Sequence, residues 1–262
     1  MHKAFKYIEI VRSRGERGLE LKRVYSNILN RDLFLMAYGN LYANKGAMTK
    51  GVDEDDIVDG MSIKRIDRII KKLKKRSYKW RPVRRRKIEK KNSKKKRPLG
   101  IAVWNDKLVS EVIRIVLSAY YEPQFSKYSH GFRIMRGCHT ALQEISTWQG
   151  TKWFIEGDLR GCFDNIDHEI LLGIISNKIK DRSLLKLLKK MLRAGYLEDW
   201  KYHETYSGTP QGNVLSQLLS NILLSELDRF IEKELIPQYT KGKVEVVNIK
   251  TGEKDKFSEE YK

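Results

Sequence analysis

The stretch that decides the reading is WFIEGDLRGCFDNIDHEIL, residues 153–171. With the preceding lysine it opens on KWFIEG, Lys152 to Gly157, a short apolar run bounded by glycine, which predicts a buried strand. Such a strand delivers Asp158 at its end, a place where an acid serves no packing purpose. The next residues, LRGCFD, do not continue the strand pattern. A carboxylate at a strand end can hold Mg²⁺ with its oxygens; a helix cap or an ordinary surface acid is the competing reading. Asp164 and Asp167 lie close by and suit helix starts, Asp167 as the N-cap of HEILLGIISNKI. Phe163, five residues past Asp158, is either a core aromatic or one wall of a substrate pocket.

Downstream, SLLKLLKKMLRAG predicts a helix ended by Gly195, and WKYHETYS (200–207) a strand or hairpin. GTPQGN (208–213) is a Gly/Pro turn whose exposed N–H groups and Gln211 could meet a nucleotide. A long helix then buries Leu215, Leu218, Leu219, Ile222, Leu223 and Leu227. The chain turns polar from Pro237 onward, as a linker or insertion does.

Upstream, Asp106–Tyr121 is a strongly amphipathic helix closed by Pro123, and HGFR (130–133) is a loop before a helix at about Cys138–Trp148. Residues 80–103 alternate around the polar turn KNSKKK and predict a hairpin. Residues 61–76 form an amphipathic helix with Ile63, Ile66, Ile70 and Leu73 inward. Residues 19–43 are helical with a break near Asn30–Asp32, and a glycine-punctuated loop runs from Asn44 to Asp53.

Charge sharpens this outline. The 262 residues carry a formal +20, and 17 Lys or Arg with a single acid, Glu89, fall between Lys71 and Arg97. The rest of the chain is nearly balanced. A disordered basic tail is the bland alternative, but Tyr78, Trp80, Val83 and Ile88 lie within the segment. A basic ridge of this kind fits a polyanion, with phosphate contacts dominating affinity. Tyr78 and Trp80 could stack on bases; anchoring the hairpin is the preferred reading. Two cysteines give no disulfide framework. No run approaches the roughly 20 apolar residues of a membrane span. The five histidines lack paired metal-ligand spacing, and neither a Ser-His-Asp order nor a P-loop signature is present.

In order, these pieces resemble group II intron-encoded reverse transcriptases, also called maturases, from about residue 20 to residue 236. NLYANKGAMTKGVD resembles the family's N-terminal extension motif. PVRRRKIEKKNSKKKRPLGI, DKLVSEVIRIVLSAYYEPQFSKYSHGFR, WFIEGDLRGCFDNIDHEIL and YSGTPQGNVLSQLLSNILLSELD resemble its first four polymerase motifs. The resemblance implies an α+β right-hand polymerase fold, helix-rich, with a small antiparallel sheet and a basic β-hairpin. It implies N-terminal extension helices and an RNA-contacting loop over 1–60, fingers over 61–150, part of the palm over 151–236 and a polar linker over 237–262.

It also assigns roles. Asp158 matches the first catalytic aspartate, sharing Mg²⁺ with the Leu159 carbonyl. Phe163 matches the aromatic that blocks a 2′-hydroxyl, and Gln211 the glutamine against the incoming nucleotide. Lys90 and Arg97 match the triphosphate-binding basic pair. Asn44, Lys45, Lys50, Arg84, Arg85, Arg86, Lys94, Lys95 and Lys96 are the expected RNA contacts. The implied partners are group II intron RNA, an RNA template with a DNA primer, deoxynucleoside triphosphates (dNTPs) and, for the full-length protein, target DNA. No membrane is involved, and a homodimer is compatible with the pattern. The expected location is the bacterial cytoplasm, with an organelle as the alternative.

The family's Tyr-Ala-Asp-Asp motif does not occur here, so the chain alone is expected not to polymerise DNA. Ala102, Ile134, Asn213, Gln217 and Ser220 depart from the family's usual residues, which leaves a splicing cofactor without polymerase activity as the alternative. A basic RNA-binding protein of ribosomal type is a weaker one.

Overall fold

The computed structural model describes residues 2–44, 46, 49–53, 61–89, 96–149, 154–209, 212–239, 245–247 and 254–256. The chain divides into two compact units, residues 1–223 and 224–262.

The first unit is built around α5 (Trp104–Tyr121), whose two faces are both covered: Trp104, Leu108, Val112, Ile113, Val116, Leu117 and Tyr120 are all nearly inaccessible. Against it lie α1 (His2–Glu16) and α3 (Arg31–Tyr42). α1 approaches so closely that any side chain on Gly15 would overlap the Tyr120 carbonyl. A short α2 (Val24–Asn27) leads into α3, and the expected break is where Asn30 caps α3 by accepting from Asp32 N at 2.9 Å. α4 (Ile63–Lys74) comes next, with Ser62 as its N-cap.

α4 corrects the sequence reading in one respect. Ile66 and Leu73 are buried as expected and Ile70 packs partly, but Ile63 is exposed and Ile69 is buried in its place. The first turn of the helix projects past the edge of the core, so the inward stripe begins one turn later.

Further helices of the unit are α6 (Cys138–Ser146), α7 (His168–Lys178) and α8 (Arg182–Leu192). Asp181 caps α8, accepting from Ser183 N and Leu184 N, while its other oxygen accepts from Tyr25 N at 2.7 Å. One side chain thus ties α2 to α8. The N-terminal region is tied in again where Leu21 exchanges backbone bonds with Lys178 and Lys180.

The basic segment forms the expected hairpin, β1 (Val83–Glu89) against β2 (Lys96–Ile101), with Arg84 opposite Ile101 and Arg86 opposite Leu99. The sheet is completed by β3 (Tyr196–Glu198) and β4 (Lys201–His203) in the order β2-β1-β3-β4. It is mixed rather than purely antiparallel, because β3 runs parallel to β1. The chain returns to β1 only after α5 to α8, and a long crossover of that kind produces a parallel neighbour.

Tyr78 and Trp80 anchor the hairpin rather than standing out from it. The Tyr78 hydroxyl donates to Asp106 at 2.5 Å, Trp80 Nε1 donates to the Leu187 carbonyl at 3.1 Å, and the two rings meet edge to face. Asp106 is 3 % exposed and also accepts from Arg81 N. Burial pushes its carboxyl up to about 6, against the opposing pull of these hydrogen bonds.

α9 (Val214–Phe230) buries Leu215, Leu218, Leu219 and Ile222 as expected, with Leu223 packed against the core. Leu227, expected inside, is half exposed. In the second unit the helical path continues to Tyr239 (α10, Ile236–Tyr239), and β5 (Glu245–Val247) pairs antiparallel with β6 (Lys254–Lys256). No helix among the described residues is long and apolar enough to cross a membrane.

Candidate nucleotide and nucleic-acid site

The expectation of a buried strand ahead of Asp158 is not met. Lys152 and Trp153 lie outside the described residues. Residues 154–157 form no strand, and Phe154 and Ile155 are 69 % and 93 % exposed. An apolar run becomes a strand only where another segment offers it backbone partners, and none does so among the described residues. Asp158 and Leu159 are therefore exposed, and the Asp158 carboxylate has neither a hydrogen bond nor an ion pair among the described residues.

The loop after Asp158 is held firmly. Residues 160–164 form a tight turn in which Gly161 adopts φ +62°, with Asp164 N and Asn165 N both donating to the Gly161 carbonyl. Asp167 caps α7 through Glu169 N and Ile170 N, as its sequence context predicts.

This turn is knitted to the segment entering GTPQG. Thr209 N donates to the Phe163 carbonyl at 2.8 Å and Gly208 N to the Ile166 carbonyl at 2.7 Å. Ser207 Oγ reaches the Asp164 carbonyl, and buried His168 places Nε2 2.7 Å from the Gly208 carbonyl. Gly208 has φ +81°, and a Cβ there would fall 2.7 Å from the carbonyl oxygens of both Phe163 and Asp164. Only glycine allows backbones to approach this closely in that conformation.

On its far side the same segment reaches the hairpin. Gly212, at φ +107°, lies against the Gly100 carbonyl of β2. Between these parts is a cleft of roughly 290 Å³ bordered by Arg85, Pro98 and Gly100 of the hairpin, by Asp164, and by Ser207 to Thr209. Asp158 is not among its lining residues.

α9, launched from the turn, braces the surroundings. Asn213 is buried, caps α9 by accepting from Leu215 N, and donates to Ser110 Oγ at 3.2 Å. Ser220 Oγ lies 3.7 Å from Cys162 Sγ, and Asn221 Nδ2 donates to the Gly131 carbonyl. Two of the unusual residues, Asn213 and Ser220, thus have structural partners. Phe132, at φ +54°, sets its ring edge-on to Phe163 with centroids 5.9 Å apart. The HGFR arginine, Arg133, is a buried staple: it pairs with Glu122 at 2.9 Å and donates to the carbonyls of Ser126 and Ser129.

Of the expected contact residues, Lys45, Lys90, Lys94, Lys95 and Gln211 lie outside the described residues, as does the Arg97 side chain. Asn44 and Lys96 are exposed. The structure brings Lys50 to Arg84, whose guanidinium donates to the Lys50 carbonyl. Gly51 makes this possible by lying against the backbone of Ala102 and Val103, where a Cβ would fall 2.7 Å from Val103 N. Arg86 is exposed beside them.

Arg85 is engaged differently. It lies 3.7 Å above the Tyr196 ring, which stacks on His203, and it shares Glu198 with Lys87. Lys87 and Arg85 hold the Glu198 carboxyl below its ordinary range. Arg85, assigned to RNA by its position in the sequence, and its neighbour Lys87 are therefore partly neutralised. The partner acid lies more than 100 residues away in sequence, so no local signal marks it. The sequence reading also passed over Trp200, which stands at the tip of the β3–β4 hairpin and is 94 % exposed.

The basic hairpin, the glycine turn locked to the loop after the exposed Asp158, and the helix bracing both give the arrangement of a polymerase fingers and palm. The chain belongs to the reverse transcriptase (RNA-dependent DNA polymerase) family, which matches residues 88–247. Among its relatives is the group II intron-encoded protein LtrA of Lactococcus lactis subsp. cremoris. It is 56 % identical over 210 residues, covering 80 % of this chain and 35 % of that one. A 91 kDa protein in the cob intron of Schizosaccharomyces pombe is 50 % identical over 206 residues, 78 % of this chain and 25 % of that one. The resemblance to group II intron-encoded reverse transcriptases is borne out. The chain spans about a third or less of the length of these relatives. Among solved structures, a chain of a partial Cas6-RT-Cas1–Cas2 complex shares the fold. Its TM-score is 0.51 at 19 % identity, over 85 % of this chain and 36 % of that one.

Proposed function

We propose that this chain is the fingers and part of the palm of a group II intron-type reverse transcriptase and maturase. In its full-length form the protein binds its intron RNA and copies it into DNA from dNTPs on a DNA primer, with target DNA as a further partner. The observation that carries this reading is the backbone lock between Gly208–Thr209 and Phe163–Asp164, together with the seat of Gly212 on Gly100. It couples the loop after Asp158, the residues on either side of Gln211 and the basic hairpin within one framework.

Within that framework Phe163, half-buried and braced by Phe132, is a rigid wall suited to rejecting a 2′-hydroxyl. Gln211 would meet the incoming nucleotide, with Lys90 and Arg97 on its triphosphate. Family members use a divalent metal, and Mg²⁺ is the ion that fits. Asp158 is open to take it, with the Leu159 carbonyl beside it, and one or two carboxylates with substrate phosphates are its usual ligands. When bound, the ion would polarise the primer 3′-hydroxyl and hold the leaving pyrophosphate. Among the described residues no group of three or more His, Cys, Asp or Glu side chains is placed to hold a metal. The family's Tyr-Ala-Asp-Asp motif does not occur in this sequence, so the chain by itself is expected to bind RNA without extending a primer.

Asp158→Ala in the full-length protein tests this. Primer extension should be lost while RNA affinity and thermal stability stay unchanged. Loss of RNA binding to the same degree, or Mg²⁺-dependent extension by the 262-residue chain alone, would overturn the assignment.

The second reading, an RNA-binding splicing cofactor without polymerase activity, is favoured by one observation. Lys50 and Arg84 are joined by a hydrogen bond and line one groove with exposed Arg86, a grip on RNA that does not involve Asp158.

A further inference from the structure

The β3–β4 hairpin closes in two residues, Asp199 and Trp200, between the paired Glu198 and Lys201. Both have positive φ, 49° and 63°, the pattern of a type I′ turn. That turn favours Asp-Gly, and a bulky aromatic at its second position is an uncommon placement. Trp200 is nevertheless there, with its indole almost wholly in water. The fold draws nothing from this side chain: it is strained in its backbone and unburied in its ring. Outliers of that kind collect at functional positions.

Its surroundings point to a ligand. Trp200 borders a groove of roughly 750 Å³ whose lining also includes Lys50 and the hairpin cations Arg84, Arg85, Arg86 and Lys87. The acids at this groove are Glu198, already paired with Lys87 and Arg85, and Asp199. Arg86 makes no ion pair among the described residues. An exposed aromatic face next to a track of cations is how proteins hold single-stranded nucleic acid: phosphates lie along the cations and a base stacks on the ring.

We propose that Trp200 is a base-stacking platform for an unpaired RNA nucleotide, whose flanking phosphates lie along Lys50, Arg84 and Arg86. This rests on the RNA-binding part of the function proposed above and adds to it a site that recognises single strands. A protein partner is disfavoured because the groove's lining is predominantly cationic and offers one aromatic ring rather than an apolar patch.

Trp200→Gly gives a test free of folding artefacts, since glycine suits the turn better than tryptophan does. The probes are a 12-nucleotide single-stranded RNA and a 12-base-pair RNA duplex, titrated against the 262-residue chain over a range of salt. Trp200→Gly should keep or raise the melting temperature and weaken single-strand binding roughly five- to a hundredfold, the worth of one stacked base. It should leave duplex binding and the salt slope unchanged. Trp200→Phe should restore most of the loss. Arg86→Ala should instead lower the salt slope by about one for both probes. Equal single-strand affinity for Trp200→Gly and wild type overturns the platform while leaving the RNA-binding reading intact. Equal loss on both probes overturns it as well, by making Trp200 a general structural element. A fall in self-association without a change in RNA affinity would reassign the ring to a protein contact. If Arg86→Ala and Lys50→Ala also bind as wild type does, the RNA-binding reading itself fails.

Discussion

Gly212 lies against the carbonyl of Gly100: a methyl group in place of its hydrogen would fall 2.7 Å from that oxygen and 2.7 Å from the Leu99 side chain. The first residue after PQ is thereby seated on the second strand of the basic hairpin, and its φ of +107° suits no other residue type. The contact joins the segment after Gln211 to the basic hairpin.

Gly212→Ala should therefore destabilise the protein by about 1–3 kcal/mol, or displace β2 to avoid the overlap. Thermal melting combined with faster hydrogen exchange at the β2 amides reads either result. Gly173→Ala is the control: nothing lies within 4 Å of its position and it sits on α7, so the change should stabilise by roughly 0.5–1 kcal/mol. A silent Gly212→Ala would show that the turn does not bear on the hairpin.

Asp106 predicts a pH dependence. Its folded-state value of about 6 lies above the ordinary carboxyl value of 3.8, so the native chain holds a proton that the unfolded chain has released between those two pH values. Stability from this group is fully present below pH 3.8 and falls as pH rises through 6, by on the order of 3 kcal/mol. The unfolding free energy of wild type minus that of Asp106→Asn should decline over this window and flatten above it. A difference that stays constant or rises between about pH 4 and 6 contradicts the assignment.

Asp181 satisfies three backbone N–H groups, two at the start of α8 and one on Tyr25. Asp181→Ala removes a helix cap worth about 1 kcal/mol and also orphans a half-buried donor. A loss of about 2 kcal/mol or more is expected in denaturant titration. Asp181→Asn, which keeps one acceptor oxygen, should recover part of it.

Glu198 is shared by Lys87 and Arg85 at the hairpin and partly offsets their charge. Glu198→Gln should free both cations, raise RNA affinity several-fold at low salt and steepen its fall with salt concentration. Unchanged binding would mean that neither cation faces the nucleic acid.

Much of this architecture is legible without coordinates because it is local. The 3.6-residue stripe of α5, the caps at Asn30 and Asp167, the alternation around KNSKKK and the glycine stop at Gly195 are each set by a few neighbouring residues. Five motifs in order then carried the family. The errors fell where an element needed a distant partner. KWFIEG has the composition of a strand, yet Phe154 and Ile155 stand in water because no described segment pairs with them. Ile63 and Leu227 lie on helical stripes yet are exposed.

By itself the sequence determined the helices, the basic hairpin, the family and the candidate chemistry of Asp158, because periodicity, capping and motif order are written in consecutive residues. Only the tertiary structure decided that Glu198 is shared by Arg85 and Lys87, that Gly208 and Gly212 lie against the Phe163 loop and β2, and that Trp200 borders a cationic groove. Those are contacts between segments distant in sequence, and side-chain charge and backbone approach across such separations depend on the packed core that brings the segments together.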